Sequence, residues 1–308
     1  MKTDGLTRAI PEGLRHSSMS MLKRAAYHYA VQNAKYLLIV ALLNGIVAPR
    51  VILSQKTDSS STNRNPHAVQ PERPTVATHA GTVARGWMEL EEGGEWDRFP
   101  DKTKSFFAPT NLKTGLGSRT QLNLMVNVIK ATDVNGGAIT AGDVTLGVKY
   151  RIVDDDRILG DFAILPAVKL PTASESTGAG TGTTDFSLLL ISSRNLGPVA
   201  MDLNIGGTKR SASRPGAPTN AGIWTASFGF PLYEESGWVA ELFGYPRTGG
   251  VDGTGPIAAF LTGPTFSARE WLTLDAGIIV PITGAQPHAA YAGFVWNLGC
   301  AFPRGHCR

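Results

Sequence analysis

From Arg85 onward, apolar residues recur at every second position in runs about ten residues long, the period of a β-strand with two unlike faces. In "LNLMVNV", Leu122, Leu124, Val126 and Val128 share one face, and Asn123, Met125 and Asn127 share the other. "DVTLGVKYRI" sets Val144, Leu146, Val148, Tyr150 and Ile152 against Thr145, Gly147, Lys149 and Arg151. "VAMDLNIGG" sets Val199, Met201, Leu203 and Ile205 against Ala200, Asp202, Asn204 and Gly206. Twelve such runs are centred near residues 91, 110, 125, 147, 165, 188, 203, 226, 242, 261, 275 and 295, with no helical stripe among them. The connections after odd-numbered runs are mostly long, for example "ATDVNGGAITA" and "KRSASRPGAPTN". Those after even-numbered runs are short, for example "GSR" and "RNLGP".

An up-and-down antiparallel sheet with one elaborated end produces this alternation. A soluble β-sandwich also alternates, but here the apolar face is nearly free of charge while the opposite face collects both signs. Long connections gather at one end, as in outer-membrane barrels. Strands of about 9–11 residues cross the hydrocarbon layer at their usual tilt, and closure leaves no backbone donor unpaired in lipid. Aromatic residues near run ends (Trp87, Trp96, Trp224, Phe228, Trp238, Trp271 and Trp296) fit interfacial girdles. The expected fold is all-β: a transmembrane β-barrel of about 12 strands over residues 85–302, located in the cell outer membrane and bounded by its lipid.

The segments outside that region differ in kind. Residues 1–53 form an extension whose apolar stretch, Tyr36 to Ala48, is too short to span a bilayer but fits a secretory signal core. Residues 54–84 read as a polar linker that is disordered over Ser54 to Pro74, although such a stretch could also thread into a barrel. Residues 303–308 form a tail after Phe302.

The 308-residue chain carries a net charge of +4, yet residues 1–55 alone hold seven Lys or Arg and two Asp or Glu. The body is therefore close to neutral and lacks the basic stripe that nucleic-acid binding needs. Cys300 and Cys307 are spaced for a disulfide; with His306 they make a poor metal set, lacking a fourth ligand.

The charged inner face nominates lumen-lining residues: Glu89, Glu91, Glu95, Lys149, Arg151, Lys169, Asp185, Asp202, Glu241 and Asp275. Each singly is a wall charge paired with a neighbour; together they favour a conduit over a plug. Catalysis has little support. His288 is the one histidine between Arg85 and Gly299, and no G-x-S-x-G occurs. "STGAGTGTTDFSLLL" (Ser176 to Leu190) has a G-x-G-x-G run without the third glycine of a dinucleotide fingerprint or the lysine of a P-loop. It reads as a long loop at a barrel mouth. "DDDR" (Asp154 to Arg157) lacks the Ca²⁺-loop pattern and reads as a solvated turn. No enzyme activity, metal or cofactor is expected.

Several phrases occur in an order and spacing that resemble the transporter family named for the MetA-pathway of phenol degradation. They include "RPTVATHAGTVARGWMELEEGGEWDRF", "PTNLKTGLGSRTQLNL", "GDVTLGVKYRI", "MDLNIGGT", "AELFGYP" and "LDAGIIVPIT", and span roughly residues 73–302. The resemblance implies an outer-membrane barrel of Gram-negative bacteria that passes small solutes, aromatic or apolar ones among them. It also implies the outer-membrane insertion machinery as a partner, and it carries over no catalytic residue. A structural or adhesive barrel acting through its loops is the alternative.

Overall fold

The computed structural model describes residues 65–132, 139–175, 179–212, 218–246 and 256–301. The apolar segment 36–48 and the tail 303–308 lie outside them. Among the described residues there are thirteen strands: β1 Trp87–Arg98, β2 Lys104–Gly115, β3 Thr120–Thr132, the two-residue β4 Thr140–Ala141, β5 Val144–Asp156, β6 Gly160–Leu170, β7 Asp185–Leu196, β8 Val199–Arg210, β9 Asn220–Pro231, β10 Ser236–Tyr245, β11 Ile257–Arg269, β12 Leu272–Thr283 and β13 His288–Cys300. β4 pairs only with the end of β3. The other twelve pair antiparallel with their neighbours, and β1 bonds to both β2 and β13, which closes the ring. Closure removes the sheet edge.

The wall is inside out relative to a soluble protein. Along β5, Gly147, Lys149 and Arg151 are buried while Val148, Tyr150 and Ile152 are exposed. Lys149 is 0% exposed and Ile205 62%. Only a lipid-facing outer surface makes that arrangement favourable, because water would penalise the apolar belt. This is the fold of an outer-membrane β-barrel. Trp96, Trp224, Trp238, Trp271 and Trp296 sit on the outer surface. Trp87 departs from the girdle expectation: it is buried, with its ring 4.4 Å from that of His67.

Short turns join β2 to β3, β5 to β6, β7 to β8, β9 to β10 and β11 to β12 at the end where β1 starts and β13 finishes. Gly197, with φ of 62°, supplies the left-handed step in the tight β7–β8 turn. Cys300, the last residue of β13, is disulfide-bonded; Cys307 lies outside the described residues.

The inner face is not uniformly polar, contrary to the simple alternation. On β10–β13, Phe243, Ala259, Leu261, Ile279, Ala289 and Tyr291 form a buried apolar cluster. Ala163 and Ile191 form a second one on β6 and β7.

Candidate functional site: the occupied lumen

Residues 65–86, the described part of the expected linker and the approach to β1, lie inside the ring. Their partners are the reason. Gln70 N–H donates to Glu89 on β1, and Glu72 N–H to Glu91 at 2.7 Å. Val76 and Ala77 N–H donate to the two carboxylate oxygens of Glu241 on β10, at 2.8 and 2.7 Å. Thr78 exchanges two bonds with Asn204 on β8, Ala80 N–H donates to Ser193 Oγ on β7, and Val83 N–H to Gln121 on β3. A segment that reaches strands all round a closed ring can do so only from within.

The path is a loop inserted from the short-turn end. Asn65 and Val69 bond to Glu270 in the β11–β12 turn, and Pro66 O accepts from Asn297 near the end of β13. The chain rises to Glu241, halfway up β10, and returns to Ala84–Gly86 beside Gly115 and the start of β1. In the lumen the segment forms no strand, so its backbone N–H groups need other acceptors. The wall's carboxylates and amides provide them. This is a role for the inward polar set that sequence reasoning did not foresee.

Ion pairs fasten the same segment. Arg73 meets Asp275 through Nε at 3.2 Å and Nη2 at 3.1 Å. Its guanidinium lies over Gly93 and Gly293, which face each other on β1 and β13. A Cβ at Gly93 would stand 2.3 Å from the guanidinium, so a larger residue there would push the Arg73 side chain aside. Glu72 pairs with Lys149, which also donates to His79 O. Lys113 binds Glu89 at 3.1 Å and Glu91 at 2.8 Å, and donates to Gln70 O. Val76 packs against the apolar cluster on β10–β13.

Nine of the ten nominated residues fall into three groups, and Glu95 stands apart. Glu89, Glu91, Lys149, Glu241 and Asp275 hold the inner segment directly. Arg151 pairs with Asp154 at 2.7 Å, and Asp202 accepts from Ser193 Oγ; both line the lower lumen. Lys169 and Asp185 belong instead to the mouth at the long-loop end. There Lys169 bridges Asp143 at 3.1 Å and Asp185 at 3.0 Å, with Arg210 3.7 Å from Asp185. Glu95, on β1 next to Tyr291 on β13, lies on the inner face beyond Arg73. Arg73, Lys113, Gln121 and Ser193 were missed. Lys113 and Gln121 sit at polar positions of alternating runs, which was a usable signal; Arg73 lies in a stretch with no period.

The described part of the glycine-threonine loop, from Ala179 on, folds back into the mouth. Thr181 N–H and Ala173 N–H donate to the Asp143 carboxylate at 3.0 and 3.1 Å. Thr183 Oγ donates to Asp185 at 2.7 Å and is itself almost fully buried. Burial works to raise the Asp143 carboxyl; those two backbone donors and Lys169 outweigh it and hold the group below its ordinary range. Among the described residues no group of three or more His, Cys, Asp or Glu is placed to hold a metal.

No family model matches the sequence, and no curated protein matches it. Solved structures do match in fold. The COG4313 outer membrane channel from Pseudomonas putida F1 superposes with a TM-score of 0.58 at 11% identity, covering 73% of this chain and 100% of that one. The NanC porin gives a TM-score of 0.48 at 10% identity, over 68% of this chain and 98% of that one. At these identities the likeness is one of architecture: this chain shares the outer-membrane barrel fold.

Proposed function

We propose that this chain is an outer-membrane channel for passive passage of small solutes, and that residues 65–86 set its bore. The observation that carries the reading is how the lumen is filled. The inner segment is held by side-chain acceptors and ion pairs on the wall, contacts that can be exchanged for water, in place of a continuous dry core. The apolar inner surface of β10–β13, with Phe243, Leu261 and Tyr291, favours aromatic or apolar molecules among the solutes. The resemblance to the phenol-degradation transporter family points the same way, and one protein that matches in fold is described as an outer membrane channel.

Planar-bilayer recording tests the reading. The full chain is expected to give small unitary currents, and deletion of residues 65–84 to raise the unitary conductance. Equal conductance in the two proteins would refute the assigned role of the segment. The contacts of the segment around the whole ring also favour a second reading, a permanently filled structural barrel. That reading requires no current and no liposome swelling from the full chain.

A further inference from the structure

One rung of the inner wall is unlike the rest. Glu241 on β10 faces Ser227 on β9, and Ser227 faces Asp202 on β8. Asp202 faces Ser193 on β7, and Ser193 faces Asp161 on β6. Carboxylate and hydroxyl thus alternate across five neighbouring strands without a break. Strand tilt turns this rung into a stair. Glu241 lies five residues in from the short-turn end of its strand, Asp202 three and Asp161 one. The stair therefore descends from mid-barrel to the short-turn end. It ends at a cavity of about 340 Å³ lined by Asp155, Asp156, Asp161 and Ser193 together with Arg157 and Arg194.

The charge balance of the stair is the second observation. Four basic side chains inside the barrel are engaged by other acids: Lys113 by Glu89 and Glu91, Lys149 by Glu72, Arg73 by Asp275 and Arg151 by Asp154; Arg157 and Arg194 lie only where the stair ends. Among the described residues no cation forms an ion pair with Glu241, Asp202 or Asp161. Uncompensated carboxylates in a partly desolvated wall are costly and attract counter-charge. Two hydroxyls border the rung, Thr225 Oγ1 on β9 and Thr78 Oγ1 on the inner segment. Both residues are more than nine-tenths buried, and neither oxygen has a hydrogen-bond partner. Both flank Asn204, one rung above Asp202. Unpartnered oxygens beside unpaired carboxylates make a set of hard donors, the kind that replaces the hydration shell of a small cation.

We infer that the Glu241–Ser227–Asp202–Ser193–Asp161 stair is a conduction path for small monovalent cations and makes the channel cation-selective. The inference rests on the channel reading above. Cations step between carboxylates past the hydroxyl positions, while anions meet negative charge at each carboxylate step. The ion pairs on the rest of the wall, those of Lys149 and Arg151 on the neighbouring β5 among them, cancel internally and contribute little to selectivity.

The test is the reversal potential of the full chain in planar bilayers under a KCl gradient. It is run on the native protein and on the Arg73→Ala protein, in which the inner segment is less firmly held. The expected potential lies on the K⁺ side. In the Asp202→Asn/Asp161→Asn double variant the K⁺/Cl⁻ permeability ratio is expected to fall severalfold with current retained. Neither aspartate bonds to the inner segment, so the bore should not change. Asp202→Glu, which retains the charge, is expected to stay cation-selective; a heat-modifiability gel shows that each variant is folded. A native reversal potential at zero or on the Cl⁻ side would overturn the inference. So would a permeability ratio that the double variant leaves unchanged. Absence of any current from every protein would instead overturn the channel reading, and this inference with it.

Discussion

Replacing Arg73 by Ala should loosen the inner segment without unfolding the barrel. Asp275 would then keep a carboxylate whose side chain is 1% exposed and has no partner. Two unit charges 3.1 Å apart attract by about 5 kcal/mol at an effective dielectric constant of about 20. Desolvation of both ions offsets much of that attraction, and removing one member of a buried pair costs about 3–5 kcal/mol in all. Arg73 is 13% exposed, which places the expected loss near the lower limit, about 3 kcal/mol. The consequence is local, because Arg73 belongs to the segment and to no strand. The lifted state should become about 150-fold more populated. Amide hydrogen exchange reads that population directly, through the N–H groups of Val76, Ala77, Thr78, Ala80 and Val83, which all donate to wall side chains. Their exchange should accelerate by about two orders of magnitude while amides within the strands keep their protection. An Arg73→Ala/Asp275→Ala protein should lose less than the sum of the two single changes, because it leaves no unpaired charge. Unchanged exchange at these five amides would refute the latch. Equal acceleration throughout the strands would show that the pair supports the barrel as a whole.

Other outcomes follow from the same geometry. Glu241→Gln offers an amide N–H₂ where one backbone N–H now donates, so about 1–3 kcal/mol of local stability should go, read as faster exchange at Val76 or Ala77. Gly277→Ala places a Cβ 2.3 Å from Tyr291 Oη and should lower the urea midpoint of the barrel by the equivalent of about 1–3 kcal/mol. Ile205→Arg on the lipid face should destabilise the barrel in liposomes by about 2–4 kcal/mol if it sits near the midplane, read by equilibrium unfolding. Because the Asp143 carboxyl is held below its ordinary value in the folded mouth, it stabilises the mouth above the unfolded carboxylate value of about 3.9. That contribution is lost as pH falls through the folded value; protection of the Thr181 amide should track it, and Asp143→Asn should remove the pH dependence.

The strands were legible because their signal is local. A period of two is enforced by the pleat itself, so Val148, Tyr150 and Ile152 declare one face and Lys149 and Arg151 the other wherever the strand sits in the ring. The lengths of the connections then arranged the strands. Legibility failed where both faces are apolar. In "IAAFL", Ile257, Ala259 and Leu261 face the lumen while Ala258 and Phe260 face out, and alternation of polarity cannot tell one side from the other.

The sequence by itself determined an antiparallel barrel of twelve long strands, the end that carries its long loops, and an inner face that gathers charge. Only the tertiary structure decided what that charge is for. Residues 65–84 have no period because their backbone bonds to side chains and not to a neighbouring strand, and their partners lie up to 231 residues away. The inward acids and amides therefore appear in the sequence as wall polarity alone. Their service as acceptors for a segment folded into the lumen arises only once the ring closes and brings Glu89, Asn204, Glu241 and Asp275 around the same stretch of chain.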